Sequence, residues 1–266
     1  MVANVFQSAS LVQLITSYQD GLDASVHFAV LSWPSRPSPV VQATCLLKYI
    51  QHSGGLTTLT TLYRFRRHLF TPELVQLAAS MGQLDVLNFL SAQAPLNSLF
   101  SKQVMDDAAS NGSLAVVEFL HANRPEGCST MAMDQAAANG HLEIVKFLHN
   151  HRKEGCTTEA MDRAAANGHL EIVKYLHDNR TEGCSSLGLK WAIEQGHMSI
   201  VQFLFDRYGG NLLVGLCCAA SRGHLEIVKY FCARQPESKR FVLDIVGATS
   251  IYQQKYPQVA AYLRQV

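Results

Sequence analysis

The chain has 266 residues, of which 48% are hydrophobic and 16% are charged, and its formal net charge is +1. The apolar content is sufficient for a sizeable folded core, and the low charge excludes an intrinsically disordered chain. A nearly neutral chain has no overall field that would draw it onto nucleic acid or an anionic membrane, so we expect neither as a partner.

Cysteine usage and the first residues indicate a compartment. The seven cysteines are an odd number, so they cannot all pair within one chain. Residues 1–20 contain no lysine or arginine and no long apolar run, so they lack the features of a secretory signal. No stretch approaches the roughly 20 apolar residues of a membrane-spanning helix. We therefore expect a cytoplasmic or nuclear protein with free thiols.

The first 70 residues carry two helical patterns, LVQLITSYQDGL and VVQATCLLKYIQ, separated by a loop over residues 32–39 with three prolines. Two interpretations of residues 1–70 stay open: a degenerate pair of repeats that caps the rest of the chain, or a separate small helical module. The segment Leu11–Trp33 also resembles an F-box, the adaptor-binding helices of ubiquitin-ligase receptors, although it lacks the opening Leu-Pro of that family.

From residue 71 onward the sequence repeats itself. Residues 134–149 read DQAAANGHLEIVKFLH and residues 162–177 read DRAAANGHLEIVKYLH. Six glycines follow one another at steps of 30, 28, 28, 28 and 27 residues: Gly82, Gly112, Gly140, Gly168, Gly196 and Gly223. An apolar helical phrase follows each glycine. The spacing predicts an array over residues 71–266, with six helix-turn-helix units over residues 71–240 and a diverged capping unit over residues 241–266.

Each unit has the same physical logic. An alanine-rich first helix lets neighbouring helices approach closely, and the glycine ends it because glycine adopts a left-handed conformation at low cost. The second helix carries a buried stripe at helical spacing, for example Leu142, Ile144, Val145 and Leu148. A Glu-Gly-Cys turn and then a serine or threonine follow, and this hydroxyl can cap the next first helix. The candidate capping pairs are Ser129 or Thr130, Thr157 or Thr158, and Ser185 or Ser186.

The phrase A-x3-G-H-L-E-I-V-K-x-L resembles the second half of the ankyrin repeat, and Met161-Asp162-Arg163-Ala164-Ala165 stands where that family usually carries Leu-His-x-Ala-Ala. The resemblance covers residues 71–232. Ankyrin units are about 33 residues long and include a Thr-Pro-Leu-His phrase and a hairpin finger, whereas these units are near 28 residues and lack that phrase. The resemblance therefore implies an all-α solenoid of stacked antiparallel helix pairs with shortened or absent β-hairpin fingers, of a short-repeat type.

Histidines and cysteines recur with the same period, which raises the question of a metal site. Cys128, Cys156 and Cys184 are examples. Equivalent positions in successive units lie roughly 8–10 Å apart, whereas two sulfurs on one zinc ion lie within roughly 4 Å. We therefore predict no metal site and no cofactor, and we expect the cysteines to fill the turns and the histidines after the glycines to hydrogen-bond across the helix turn. No catalytic constellation stands out, so we predict no enzymatic activity.

Positions that vary within the repeated frame are the candidates for partner contact. They align with Asp162, with Arg163 and with the residue before each glycine. The predicted partner-binding residues are Asp106, Asp107, Asp134, Gln135, Asp162, Arg163, Lys190, Trp191 and Arg222. Trp191 leads this set because tryptophan and arginine dominate interface hot spots, although the alternative that it packs against a neighbouring helix stays open.

The ankyrin resemblance implies protein binding through the concave face of the array. The sequence thus predicts a non-enzymatic protein-interaction scaffold, expected to be a monomer, that binds another protein through its first helices. The alternative is a substrate receptor of a ubiquitin ligase, in which the F-box-like segment would hold the ligase adaptor.

Overall fold

A computed structural model describes residues 38–52, 55–65, 67–246 and 254–265. The chain divides into two compact units, residues 1–128 and 129–266. The described residues of both units form helices and short turns, without strands, so the all-α prediction is confirmed. The F-box-like segment lies outside the described residues, and the predicted boundary at residue 70 stays a prediction. Every described helix is too short or too polar to cross a membrane.

The unit of residues 1–128 contains three helix pairs in its described part. Their helices are α1 (Pro39–His52), α2 (Leu56–Phe65), α3 (Pro72–Ser80), α4 (Leu84–Ser91), α5 (Lys102–Ser110) and α6 (Leu114–Asn123). Short 3-10 turns occupy Arg67–Leu69 and Ala94–Leu99. The first helices α1, α3 and α5 pack side by side, and α3 begins with Thr71 as the capping residue and Pro72 at the first helical position.

The unit of residues 129–266 continues the same pattern. Its helices are α7 (Thr130–Ala138), α8 (Leu142–His151), α9 (Thr158–Ala166), α10 (Leu170–Asn179), α11 (Ser186–Gln195), α12 (Met198–Tyr208), α13 (Leu212–Arg222), α14 (Leu225–Arg234), α15 (Ser238–Val246) and α16 (Pro257–Arg264). The first helices α7, α9, α11, α13 and α15 form one row, and each packs against its own second helix. Near the end of the chain, α15 and α16 also pack against each other, and the predicted capping unit of residues 241–266 stays a prediction.

Alanines explain why the first helices lie so close together. Ala136 and Ala164, for example, are fully buried between neighbouring first helices and have no bulk to hold them apart. In the second helix, Ile144, Val145 and Leu148 are buried as predicted, whereas Leu142 at its first position is only half-buried. Within the unit of residues 129–266, the small residues and the apolar stripe build the core between the first and the second helices.

The turns are short, as the shortened repeat predicts. Between α8 and α9 the chain needs only residues 152–157, which contain no strand. Gly155 takes a positive φ of 75°, and Thr157 caps α9 by accepting a hydrogen bond from the Glu159 N–H. Ser129 and Ser185 cap α7 and α11 in the same way, so the predicted capping is confirmed at all three turns.

A glycine–histidine contact links successive helix pairs at the other end of the first helices. Gly140 has φ 85°, and a Cβ at this position would lie 2.7 Å from Cε1 of His169 in the next pair. The Nε2–H of His169 donates to the Ala138 carbonyl, 3.1 Å away. The histidine thus bonds to the preceding helix pair, which corrects the expectation of a bond across its own turn.

The same contact recurs in the next two pairs, at Gly168–His197 and at Gly196–His224. In the last pair Tyr256 takes the place of the histidine above Gly223. The repeated Gly-His dipeptide is therefore a device for stacking, because the glycine of one pair makes room for the histidine of the next.

Candidate partner-binding site

Three of the predicted partner-binding residues are buried, contrary to the prediction. Asp106, Asp134 and Asp162 are only 4%, 4% and 3% exposed, so these three side chains do not line an accessible face. For Asp134 and Asp162 the reason is a set of hydrogen bonds to the following turn. They therefore serve the stacking of the repeats, and a partner could not reach them without opening the fold.

Asp162 shows the arrangement most completely. Its Oδ1 accepts from the Ser185 N–H at 2.8 Å, and its Oδ2 accepts from the Ser185 hydroxyl at 2.5 Å. Asp134 accepts from the N–H and hydroxyl of Thr157 in the same way, at 2.8 and 3.0 Å. Burial raises the pKa of the Asp134 carboxyl, and the hydrogen bonds from Thr157 offset part of that rise. Each carboxylate thus holds the residue that caps the next first helix.

We call the residues at one repeat position in successive units a column. The residues of the column next to these aspartates lie together at an accessible surface. Gln135, Arg163 and Trp191, from α7, α9 and α11, line one shallow cavity of about 480 Å³, which we call the first-helix groove. Arg163 is exposed, whereas Gln135 and Trp191 are half-buried. Three residues that are one repeat apart in sequence are therefore brought together along one face.

The groove is polar and carries charges of both signs. Arg163 forms an ion pair with Glu159 of its own helix at 2.8 Å. Glu194 lines the groove, and its carboxylate lies 3.7 Å from the guanidinium of Arg222 on α13. Exposed pairs of this kind contribute at most about 1 kcal/mol, so both arginines can exchange their partners for groups on a bound protein.

Amide side chains complete the groove. Asn139, Asn167 and Gln195 also line it. The Asn167 Nδ2 donates to the Ala138 carbonyl at 2.7 Å, which fixes this part of the floor. These residues share the position before the glycine with Arg222, so the sequence frame already contained them. Sequence reasoning missed Glu194, although its replacement of the alanine found at positions 138 and 166 was a usable signal.

Two predicted residues lie elsewhere. Lys190 is exposed on α11 but lines a different cavity from the groove. Asp107 belongs to the unit of residues 1–128, where it is half-buried and accepts a hydrogen bond from the Gln103 amide at 2.8 Å.

Comparison with known families agrees with this architecture. A family model described as ankyrin repeats (3 copies) matches residues 105–186 and, in a second overlapping match, residues 133–213. Residues 105–213 therefore contain ankyrin repeats. No curated protein matches the sequence significantly. Ankyrin repeats act as protein–protein interaction modules, so the family match gives the general class of function.

The periodic cysteines of the ankyrin array lie in its turns. Cys128 and Cys156 are buried and fill the space before the capping residue. Burial, reinforced by Glu182, raises the pKa of the Cys156 thiol to about 11. Burial and the hydrogen bond from its Sγ to Asp162 also raise the pKa of Cys184. Among the described residues no cluster of three or more histidine, cysteine or acidic side chains could hold a metal ion.

Proposed function

We propose that this chain is a protein-interaction scaffold that binds another protein through the first-helix groove, without catalysis. The observation that carries the proposal is the convergence of Gln135, Arg163 and Trp191 on one accessible cavity. These residues vary between units whose buried positions are nearly constant. A partner can therefore be recognised here without any change to the core of the array.

The chemistry of the groove favours a protein partner. The amides of Asn139, Asn167 and Gln195 can donate to and accept from a peptide backbone, which carries both kinds of group. The half-buried Trp191 offers a rigid aromatic surface, and Arg163 offers a cation beside it. Aromatic and arginine side chains surrounded by polar groups are the usual composition of an interface hot spot.

Replacement of Trp191 by alanine tests the proposal. Proteins captured from the native cell extract by the wild-type chain are identified by mass spectrometry, and the affinity of the purified partner is then measured. We expect Trp191→Ala to weaken binding by about 30-fold, which corresponds to the loss of about 2 kcal/mol at a hot spot. Arg163→Ala is expected to weaken the same partner by a smaller factor.

Phe241→Ala is the matched control. Phe241 is an exposed aromatic residue of the same unit, on α15 and outside the groove, so this variant should keep the wild-type affinity. Thermal unfolding followed by circular dichroism should remain cooperative in all three variants. Equal losses of affinity in the Trp191 and Phe241 variants, or a non-cooperative Trp191 variant, would contradict a specific role for the groove.

A further inference from the structure

A second cavity of about 500 Å³ lies between the beginnings of α11 and α13, and we call it the turn cavity. Its walls include the apolar side chains of Leu189, Ile193 and Leu204. Leu187, Tyr208 and Val214 also line it, and they are 44%, 43% and 62% exposed. Cavities of this size that are lined mainly by apolar groups are typical of ligand sites. Three exposed apolar side chains around one recess are uncommon on a surface without a binding role.

The turn that borders the turn cavity departs from the two turns before it. In the two preceding turns a cysteine, Cys156 or Cys184, stands directly before the capping residue. In the turn after α12 that position is Gly210, and a Cβ there would lie only 2.8 Å from the side chain of Leu189, so no cysteine fits in this turn. The capping residue is Asn211, whose side chain accepts from the Val214 N–H at 3.1 Å and caps its own helix.

The buried carboxylate that the preceding helix pair supplies at the other junctions is also missing. Where α7 and α9 carry Asp134 and Asp162, α11 carries Lys190. The lysine is exposed, so it does not occupy the interior position that the carboxylates occupy. The turn beside the cavity thus lacks both the cysteine and the carboxylate of the preceding junctions.

Lys190 gives the turn cavity its charge. It is the one charged residue among those that line the cavity. No ion pair joins it to another described residue, and Glu194, one turn further along α11, lies beside Arg222 instead. The nearby carboxylate of Asp162 is buried and already accepts from Ser185 and Cys184. The cavity therefore presents an apolar interior next to a single accessible cation.

We propose that the turn cavity binds a short peptide segment of a partner protein in which a leucine-sized apolar side chain enters the cavity and a neighbouring aspartate or glutamate pairs with Lys190. The inference rests on the proposed function in that it assumes a protein partner, and it names the chemistry of one segment of that partner. It uses a surface separate from the first-helix groove, so the two sites can succeed or fail independently.

Titration of the ¹⁵N-labelled full chain with two synthetic peptides tests this directly. The probes are acetyl-Ser-Leu-Glu-Ser-amide and its uncharged counterpart acetyl-Ser-Leu-Gln-Ser-amide. We expect both to shift the amide signals of Leu187, Gly209 and Val214, with the glutamate peptide binding about two- to fivefold more tightly, as one exposed ion pair allows. Replacement of the leucine by serine in either peptide should abolish the shifts.

Three variants assign the effect to the cavity. Lys190→Gln should remove the preference for the glutamate peptide and leave the glutamine peptide unchanged. Lys174→Gln, at a partly exposed lysine of α10 that pairs with Glu171, is the matched control and should keep the preference. Val214→Glu, at an exposed position on the rim, should weaken both peptides because it places a charge at the apolar mouth.

The outcomes separate this inference from the proposed function. Trp191→Ala should not change the affinity of either tetrapeptide. Equal affinity of the two peptides for the wild-type chain, persistence of the preference in Lys190→Gln, or shifts confined to Gln135 and Asn167 would overturn the inference. The last result would move the peptide to the first-helix groove, while failure of Trp191→Ala to weaken the native partner would count against the groove alone.

Discussion

Two successive junctions in the unit of residues 129–266 solve the same stacking problem differently. At the junction of α9 and α11, the buried Asp162 holds the capping Ser185 through two hydrogen bonds, and Cys184 fills the remaining space. At the junction of α11 and α13, Lys190 points to solvent and Asn211 caps its own helix, which leaves the turn cavity. At the first junction the polar side chains bond to each other and stabilise the stack. At the second junction the charged side chain of Lys190 is accessible to solvent.

The difference is confined to one end of the first helices. At their other end both junctions keep the glycine–histidine contact, Gly168 with His197 and Gly196 with His224. The buried second-helix stripe is also maintained, with Ile172 and Ile200 buried in equivalent positions. The array can thus change one turn while the remaining contacts preserve the stacking of the helix pairs.

The largest expected effect tests this contrast at equivalent positions. Asp162→Ala should lower the free energy of unfolding by about 2–3 kcal/mol, because it leaves the N–H and hydroxyl of Ser185 without their buried acceptor. Lys190→Ala should change it by less than about 0.5 kcal/mol, as expected of an exposed side chain. Urea-induced unfolding followed by circular dichroism measures both values.

Asp162→Asn serves as the control for shape. The asparagine amide oxygen can still accept one of the two hydrogen bonds. The decrease in the free energy of unfolding should therefore lie between those of Asp162→Ala and Lys190→Ala. Similar losses in Asp162→Ala and Lys190→Ala would show that the two junctions are equally dependent on this position, and the contrast between them would fail.

The second prediction concerns the end where the junctions agree. Gly168→Ala and Gly196→Ala should each cost about 2 kcal/mol, because both glycines have positive φ and their added Cβ atoms would lie 2.8 and 2.6 Å from the histidine above. Gly183→Ala is the matched control. Gly183 also has a positive φ, of 72°, but its Cβ would find its nearest neighbour at 3.8 Å, so only the backbone cost of about 1 kcal/mol is expected.

The same unfolding assay compares the three glycine variants. Unequal losses at Gly168 and Gly196 would extend the difference between the junctions to the glycine–histidine end. Equal losses at all three glycines would show that the backbone conformation alone explains the glycines, and that the histidine contact contributes little.

The sequence was sufficient for the features that are local or repeated. Helix limits, the alanine face and the capping residues Ser129, Thr157 and Ser185 follow from short-range rules that each unit obeys by itself. The role of the aspartates does not follow from such local rules, because the hydrogen-bond partner of Asp162 is Ser185, 23 residues later in the chain. Variation in that column suggests binding specificity by itself, whereas in the structure Asp134 and Asp162 accept hydrogen bonds from the turn that follows.

A usable signal was nevertheless present. The column is aspartate in the three units that are followed by Glu-Gly-Cys and a hydroxyl residue, and it is Lys190 where Tyr208-Gly209-Gly210-Asn211 follows. The adjacent column, with Gln135, Arg163 and Trp191, lines one accessible cavity, because helical periodicity separates it from the buried alanines.

The smallest effect concerns Cys184, the residue that belongs to both junctions. It lines the turn cavity and is half-buried, unlike Cys156 in the preceding turn. Exposure alone would make Cys184 the more reactive thiol. The pKa of both thiols is nevertheless raised by burial, that of Cys156 to about 11, and the carboxylate of Asp162 raises that of Cys184 further. We therefore expect neither to react appreciably with iodoacetamide at pH 8, because the thiolate is the reactive form.

Asp162→Asn separates exposure from electrostatics at this thiol. The variant removes the negative charge beside Cys184, so it should lower the pKa of that thiol and accelerate its alkylation, while Cys156 stays unreactive. Mass spectrometry of the alkylated peptides, with the urea-denatured chain as the fully reactive reference, measures both rates. Rapid labelling of Cys184 in the wild-type chain would mean that the cavity opens this turn further than the contact with Asp162 allows. In that case the carboxylate of Asp162 would stabilise the junction of α9 and α11 without suppressing the reactivity of Cys184 at the turn cavity.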